Sequence, residues 1–518
     1  MQSQMKYVIL WITVCIALCN TRASAEHLVL DADTQINLPS GFDAELLYDV
    51  PASQGSWVAM AFDPKGRLIV SDQDDKGVFR LTLTETEGAG VRVEPLEGFP
   101  YLPINWGRRR VGGALGFLYA FDSLYMSSMK GFYRIRDTDG DDTFDEFTLL
   151  KQLGVGYEHS AHSIIKTEDG QGLYLVTGNH TALPSGIPSL QPPVWETDSL
   201  LQEMPDAMGH AVGIQAPAGW ICRISPDGKD WVMVASGFRN AVDIAINREG
   251  ELFTYDSDLE FDVGTPWYRP TRVNHVTSAS EFGWRPGSAK WPEYFADSKG
   301  AVINIGPGSP TGISFGYHSN FPAPYQDKLF ICDWTFGSIY LIDMEEDGSS
   351  YVGTKTEFLN GQPLNISAMR FGPDGHMYFL VGGRNTDSRL YRIKYVGPVQ
   401  QKPGKKLIAN QGLRDLRHSL EVFHGNPHAG NQAITRAWPH LSHPDRNIRY
   451  AARLAIENQP VSLWQERVLR EEDQRALIHA SIALCRHGDP SLSHRILKKL
   501  NQIPFDLLAA EDQLALLR

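Results

Sequence analysis

The chain has 518 residues and a formal net charge of −13 at neutral pH. Its length allows two or more domains. We expect no nucleic-acid partner, because an acidic surface repels phosphates. The 47 glycines and 31 prolines indicate many turns, which favours a mainly β architecture.

The N-terminus has the parts of a secretory signal peptide. Lys6 supplies a positive charge, an apolar run follows over residues 7–18, and an A-x-A cleavage site ends at Ala25. The run is short for a bilayer, and the alternative interpretation is an uncleaved anchor. We predict that residues 1–25 are removed, that the protein is exported to the periplasm or beyond, and that the mature chain has no transmembrane segment.

Up to Gly397 the sequence repeats a unit of two short strands joined by a turn rich in Asp, Pro and Gly. Clear copies occupy residues 58–70, 243–253 and 368–380. Proline fixes φ early in such a turn and glycine supplies positive φ late in it, so the chain reverses tightly. Six copies of a four-stranded unit predict a six-bladed β-propeller over residues 26–397. A β-sandwich or two barrels would explain the strands but not the recurring turn.

The composition changes after the propeller. Residues 398–411 are polar and basic, which predicts a linker, and amphipathic helices follow in residues 412–518. Apolar residues at helical spacing over 448–457, together with repeated helix breaks, predict short HEAT-like repeats. A solenoid normally ends in a polar capping repeat, and the lack of one suggests the front part of a longer protein.

A cluster of polar residues surrounds the third and fourth repeated units. His159 and His162 precede the third unit, Asn179 follows its second strand, and Arg239 and Asn240 open the fourth unit. His159 is a candidate general base because histidine titrates near neutral pH. The guanidinium of Arg239 suits an anionic or carbonyl oxygen. The alternative is that these side chains only satisfy backbone groups or pair within a blade.

Two acidic segments are candidate calcium sites. Asp256 and Asp258 alternate in an extended segment, so both point to one face and could hold a pocket Ca²⁺. Asp137, Asp139 and Asp141 follow a D-x-D-x-D pattern that predicts a structural calcium loop, although the usual glycine and glutamate at its sixth and twelfth positions are missing. The alternatives are a solvated acidic loop and a charged hairpin turn.

These segments resemble the soluble quinoprotein glucose/sorbosone dehydrogenases, six-bladed propellers that bind pyrroloquinoline quinone and calcium at one end. Residues 158–170 match the placement of the family's catalytic histidine segment, residues 238–240 match the segment whose arginine faces the quinone, and residues 272–286 match a downstream segment. The resemblance covers most of the propeller.

The resemblance implies roles for individual residues. His159 would remove the hydroxyl proton of the substrate, and Asn179 stands where the family has the aspartate that orients its histidine. Arg239, Asn240 and His162 would contact the cofactor, with Ca²⁺ beside it. The family's quinone-binding lysine and two arginines have no counterparts here, because Thr335, Asn365 and Ser367 align near those positions.

A second resemblance covers nearly the whole mature chain. Residues 266–275, 306–312 and 333–337 are similar to exported planctomycete-type proteins described as membrane-bound dehydrogenases. Those proteins join such a propeller to HEAT-like repeats and often to a haem-c domain. The present chain has no C-x-x-C-H motif, so we expect no haem of its own and a separate c-type cytochrome as a candidate electron acceptor.

Three functions remain open at the level of sequence. The favoured one is an exported quinoprotein-type oxidoreductase that oxidises a small-molecule sugar or alcohol and passes electrons to a quinone or cytochrome. The second is a non-catalytic carbohydrate-binding or assembly propeller. The third is a calcium-dependent lactonase-type hydrolase. The propeller fold hosts all three, so the fold alone does not choose among them.

Overall fold

The computed structural model of the protein describes residues 26–30, 34–83, 90–99, 104–106, 109–111, 113–154, 156–195, 211, 213–258, 269–286, 289–398 and 409–518. The predicted signal peptide, residues 1–25, lies outside these residues, as does most of the predicted linker. No helix in the described part of the chain is long and apolar enough to cross a membrane.

Six sheets, each built on four antiparallel strands, form the blades of a propeller. The strands are Trp57–Phe62, Leu68–Asp72, Val78–Leu83 and Val91–Leu96 in blade 1; Ala114–Ala120, Ser123–Ser128, Gly131–Arg136 and Glu146–Gln152 in blade 2; Ala161–Lys166, Leu173–Thr177, Gly219–Ile224 and Trp231–Phe238 in blade 3; Asp243–Ile246, Leu252–Asp256, Thr271–Val276 and Ile303–Gly306 in blade 4; Pro310–Phe315, Leu329–Asp333, Ser338–Asp347 and Ser350–Gln362 in blade 5; and Ile366–Phe371, Met377–Val381, Ser388–Tyr395 and Phe42–Val50 in blade 6.

Shorter strands extend this framework. Glu26–Leu30 and Gln35–Pro39 add to the outer edge of blade 5, and Ser280–Glu281 pairs in parallel with the last strand of blade 3. Two small hairpins join Ile104–Trp106 to Arg109–Val111 and Trp284–Arg285 to Ala289–Lys290. The second hairpin lies beside the candidate site described below.

The ring closes through a strand from the other end of the propeller sequence. The first strand of each blade contacts the first strand of the next, and that of blade 6 contacts that of blade 1. Phe42–Val50 precedes blade 1 but pairs with Ser388–Tyr395 as the outer strand of blade 6. On the axis, Arg370 Nη1 donates to Asp243 Oδ2 at 2.6 Å and so links blades 6 and 4. The predicted six-bladed, mainly β propeller is confirmed.

The recurring turn has the geometry expected from its sequence. In blade 1, Asp63 Oδ1 accepts the backbone N–H groups of Lys65 and Arg67 at 2.9 and 2.8 Å. Gly66 in this turn has φ 76°, and Gly375 in the corresponding turn of blade 6 has φ 79°. These positive values favour glycine because it lacks a Cβ. The repeated turn residues therefore fix the reversal between the first two strands of a blade.

The remaining described elements are helical and lie mainly after the propeller. The α-helices are α1 Ala323–Gln326, α2 Gln411–Glu421, α3 Asn431–Ala437, α4 Arg446–Glu457, α5 Gln465–Val468, α6 Gln474–His487, α7 Ser493–Leu500 and α8 Ala510–Leu517, with 3-10 turns at Ala52–Gln54, Tyr157–His159, Trp438–His440, Val461–Leu463, Pro490–Leu492 and Phe505–Leu507. Helix α4 is the buried centre of the C-terminal segment and packs against α2, α3 and α6. The HEAT-like nature of these helices and the domain boundaries stay predictions.

Candidate functional site

The sequence-predicted residues meet at one face of the propeller, where first strands begin and second strands end. His159 lies just before the first strand of blade 3, and Asn179 lies just after its second strand. Arg239 and Asn240 precede the first strand of blade 4, and Asp256 ends its second strand. The backbone N–H of Asn179 donates to the carbonyl of Arg239 at 2.7 Å, so the two blades' loops lie side by side.

A side-chain hydrogen bond orients the imidazole of His159. Its Nδ1 lies 2.6 Å from Asn179 Oδ1. Because an amide oxygen only accepts, Nδ1 carries the hydrogen and Nε2 is the basic nitrogen. The His180 ring packs beside it, with ring centroids 4.5 Å apart, and His159 is 3% exposed. The Nδ2 group of Asn179 is buried without a partner among the described residues, so it is a donor available to a bound ligand.

His162 and Asn240 hold the two blades together. His162 Nε2 lies 2.9 Å from Asn240 Oδ1, and Asn240 Nδ2 donates to the carbonyl of Glu158 at 3.2 Å. Burial lowers the pKa of His162 to about 4, so its ring is neutral at pH 7. These bonds join residues of the protein to one another, so they give both side chains a structural role that needs no ligand. Their predicted contact with a cofactor stays a prediction.

Arg239 is buried against the loop that follows it in blade 4. Its backbone N–H donates to Asp256 Oδ2 at 3.2 Å, and its Nη1 approaches Ser257 Oγ at 3.4 Å. It is 8% exposed. Asn179 connects Arg239 with His159, because its backbone N–H donates to the carbonyl of Arg239 and its side chain bonds the imidazole of His159. A base and a guanidinium therefore belong to one connected set of loops at this face.

Ion pairs occupy the two carboxylates that the sequence proposes as pocket calcium ligands. The ammonium of Lys290 bonds to Asp256 Oδ2, and Arg272 Nη2 donates to Asp258 Oδ2 at 2.9 Å. Both carboxylate side chains have 0% exposure. Burial lowers the pKa of Lys290, and the charge of Asp256 opposes that shift. This geometry opposes the metal role predicted for Asp256 and Asp258, because calcium would have to displace basic side chains.

Asp256 also has a structural role that recurs around the ring. In three blades, an aspartate at the end of the second strand accepts the backbone N–H of a residue that precedes the first strand. The pairs are Asp72 with Ser56 at 2.6 Å, Asp256 with Asn240 at 2.8 Å, and Asp333 with Ser309 at 3.3 Å. The aspartate ties the two strand ends together, which explains its presence without a metal.

The second predicted calcium site keeps the required grouping of oxygen atoms. Asp137, Asp139 and Asp141 each place one carboxylate oxygen within 4.8 Å of the others, the only such group among the described residues. Asp142 points elsewhere and bonds Arg67 of blade 1 at 2.6 Å. A hydrogen bond from Arg67 holds the pKa of Asp142 well below its usual range. A structural calcium ion in this loop remains a prediction.

One residue of this face, Arg384, was not predicted from the sequence. Arg384, in the loop after the second strand of blade 6, reaches across the mouth of the propeller to Glu158 of blade 3, with Nη2 2.7 Å from Oε2. Its guanidinium also lies 5.2 Å from the ring of Trp334 in blade 5. Its side chain is 55% exposed, so it can reach an anionic ligand. The only sequence feature that marks its position is the G-G-R-N turn of residues 382–385.

Comparisons with known proteins give structural neighbours only. No protein-family model and no curated protein matches the sequence. Solved structures that are similar include an oxidoreductase described as a glucose dehydrogenase from Thermus thermophilus, with 16% identity, 68% of this chain and 100% of that chain covered, and a TM-score of 0.49. The PQQ-bound aldose sugar dehydrogenase of Streptomyces coelicolor has 17% identity, coverage of 69% and 99%, and a TM-score of 0.47. The apo aldose sugar dehydrogenase of Escherichia coli has 18% identity, coverage of 68% and 99%, and a TM-score of 0.47.

Proposed function

We propose that the protein oxidises a hydroxyl group of a sugar or related alcohol at this face, with His159 as the general base. The observation that carries the proposal is the 2.6 Å bond between His159 Nδ1 and Asn179 Oδ1, which leaves Nε2 as the basic nitrogen. Arg239 would stabilise the oxyanion that develops as the proton leaves. Oxidation also removes a hydride from the carbon, and a separate quinone is the proposed acceptor of that hydride. A cytochrome accepts one electron at a time, so it would take electrons from the reduced quinone and not from the substrate.

The described residues lack the lysine and two arginines that the resembled family uses to bind pyrroloquinoline quinone. This quinone carries carboxylates that call for cationic partners. At the positions aligned with the family's cations, Thr335 bonds Ser309, Asn365 donates to Trp334, and Ser367 donates to Trp57. Asp256 and Asp258 are engaged by basic side chains. The proposed roles of His159 and Arg239 therefore do not depend on that cofactor.

A non-catalytic, ligand-binding propeller is the second candidate. It is favoured by the burial of His159 at 3% exposure and by the ion pairs at Asp256 and Asp258. In that case Arg384 and Trp334 would contact a ligand at the mouth of the propeller, and His159 would be a structural residue.

Dye-linked turnover on a panel of sugars and alcohols separates the two functions. The purified protein is assayed with an artificial electron acceptor, with and without added quinone. We expect His159→Gln to abolish turnover because glutamine cannot take the proton, while the exposed His428→Gln control keeps it. Ligand binding without turnover, unchanged in His159→Gln, would establish the second function instead. Turnover that survives in His159→Gln would remove this residue from the mechanism.

A further inference from the structure

The second small hairpin brings a lysine into the acidic part of the candidate site. The hairpin pairs Trp284–Arg285 with Ala289–Lys290. Lys290 has 0% side-chain exposure. Its Nζ donates to a carboxylate oxygen of Asp256 and, at 2.9 Å, to the backbone carbonyl of Ser257. Carboxylate and backbone carbonyl oxygens are the ligand types that Ca²⁺ takes in proteins, and here they surround an ammonium group.

The backbone of Lys290 is fixed by the same cluster. Its N–H donates to Asp258 Oδ1 at 3.2 Å, and its carbonyl accepts from Arg269 Nη2 at 2.9 Å. Both ends of the residue are therefore held by groups that surround the two aspartates. This arrangement places the ammonium in one position, as a coordination shell would place a metal.

Among the described residues of the cluster, basic side chains outnumber the carboxylates. The two carboxylates of Asp256 and Asp258 face Lys290, Arg272 and Arg269, the last with its Nε 3.7 Å from Asp258. A divalent ion would add further positive charge to a buried site with no unengaged carboxylate among these residues. It would also need oxygen ligands at about 2.3–2.6 Å, and the ammonium already occupies two of those available, Asp256 Oδ2 and the carbonyl of Ser257.

We infer that Lys290 is a built-in cation that takes the place of calcium at this face. The protein then has a fixed positive charge where its sequence pattern predicts a metal, and it does not bind calcium there. The inference does not depend on whether His159 is a base, because its consequences appear in unfolding as well as in any activity.

Removal of the ammonium should create a calcium requirement. Lys290→Met keeps a long, unbranched side chain but leaves the buried carboxylate of Asp256 without its partner. The Asp137–Asp141 loop is a separate candidate calcium site, so every protein in the experiment carries Asp139→Asn and Asp141→Asn. Melting temperatures are measured by differential scanning calorimetry in EDTA and in millimolar CaCl₂. The matched control is Lys229→Met, whose side chain is 81% exposed.

We expect the parent protein and the Lys229→Met control to melt at the same temperature with and without calcium. Lys290→Met should melt several degrees lower in EDTA and recover most of that loss in calcium. A Lys290→Met/Asp256→Asn double variant lacks both charges, so it should be more stable than Lys290→Met in EDTA and should not respond to calcium. This variant separates loss of the ammonium charge from loss of packing.

Three results would overturn the inference. The first is stabilisation of the parent protein by calcium in the loop-deficient background. The second is a Lys290→Met protein that gains no more from calcium than the double variant. The third is failure of Lys290→Met to fold even when calcium is supplied. Each of these outcomes leaves the proposed oxidation untouched, because that function is judged by turnover of His159→Gln.

Discussion

Replacement of Arg417 should weaken the attachment of the helical segment to the propeller. Arg417 lies in α2 with 1% side-chain exposure, and its Nη2 bonds Glu251 of blade 4. Nη1 donates to Glu421 at 2.7 Å, and Nε donates to the carbonyl of Ser349 in the turn before the last strand of blade 5 at 3.2 Å. One side chain thus connects a helix with two blades.

The partner of Arg417 is itself a buried, charged group. Burial raises the pKa of Glu251, but hydrogen bonds from His275 and His418 and the charge of Arg417 outweigh it, so the net shift is downward. The carboxylate is therefore ionised in the folded protein. Loss of one partner from a buried ion pair costs about 3–5 kcal/mol, because the remaining charge is left uncompensated. The histidines that also bond Glu251 favour the lower end of that range.

Urea unfolding of Arg417→Met, followed by circular dichroism, measures this cost. Arg495→Met is the matched control in the same helical segment. Arg495 is 51% exposed and bonds Glu466 through two N–H groups at 2.9 and 3.0 Å. An exposed pair of this kind contributes about 0–1 kcal/mol. Equal losses in the two variants would refute the assignment of Arg417 as a buried link between the helices and the blades.

Two further predictions concern the candidate site. Burial lowers the pKa of His162 to about 4, so its neutral ring contributes stability that is complete above pH 6.5 and is lost as the pH falls towards 4. The loss amounts to about 3 kcal/mol in the free energy of unfolding. Urea titrations across that pH range should show this dependence in the parent protein and not in His162→Gln. Asn179→Asp should raise turnover about tenfold, because a carboxylate stabilises the imidazolium that forms when His159 takes a proton; unchanged dye reduction would contradict this role.

The blades were predictable because their signal is local. The turn that joins the first two strands of a blade is specified by a few consecutive residues, such as those around Asp63 and Gly66, and it recurs. The closing strand Phe42–Val50 had no such signal, because its partner Ser388–Tyr395 lies far along the sequence. Pairing at that distance is set by closure of the ring rather than by neighbouring residues.

The candidate site divides in the same way. His159, Asn179 and Arg239 occupy loops whose positions follow from the blade repeat, so the sequence placed them at one face. The partners that determine their chemistry come from distant segments. Lys290 is 34 positions from Asp256, and Arg384 is 226 positions from Glu158. When the basic partner of a carboxylate lies this far away in the sequence, the local sequence pattern does not distinguish the carboxylate from a metal ligand.

The recurring aspartates allow that distinction to be tested with one kind of substitution. Asp333 Oδ1 accepts three backbone N–H groups at 2.9–3.3 Å, while its Oδ2 is buried without a partner among the described residues. Burial raises the pKa of Asp333. Asp333→Asn can keep all three bonds through its amide oxygen, so it should change the free energy of unfolding by at most about 1 kcal/mol.

Asp256→Asn makes the same change at the corresponding position of blade 4 but should have a different effect. It removes the charge that faces the buried ammonium of Lys290, and loss of one member of such a pair costs about 3–5 kcal/mol. Urea unfolding at pH 7 gives both values under one condition. A loss for Asp256→Asn no larger than that for Asp333→Asn would mean that the carboxylate only ties the strand ends together. Lys290 would then not depend on it as a counter-ion.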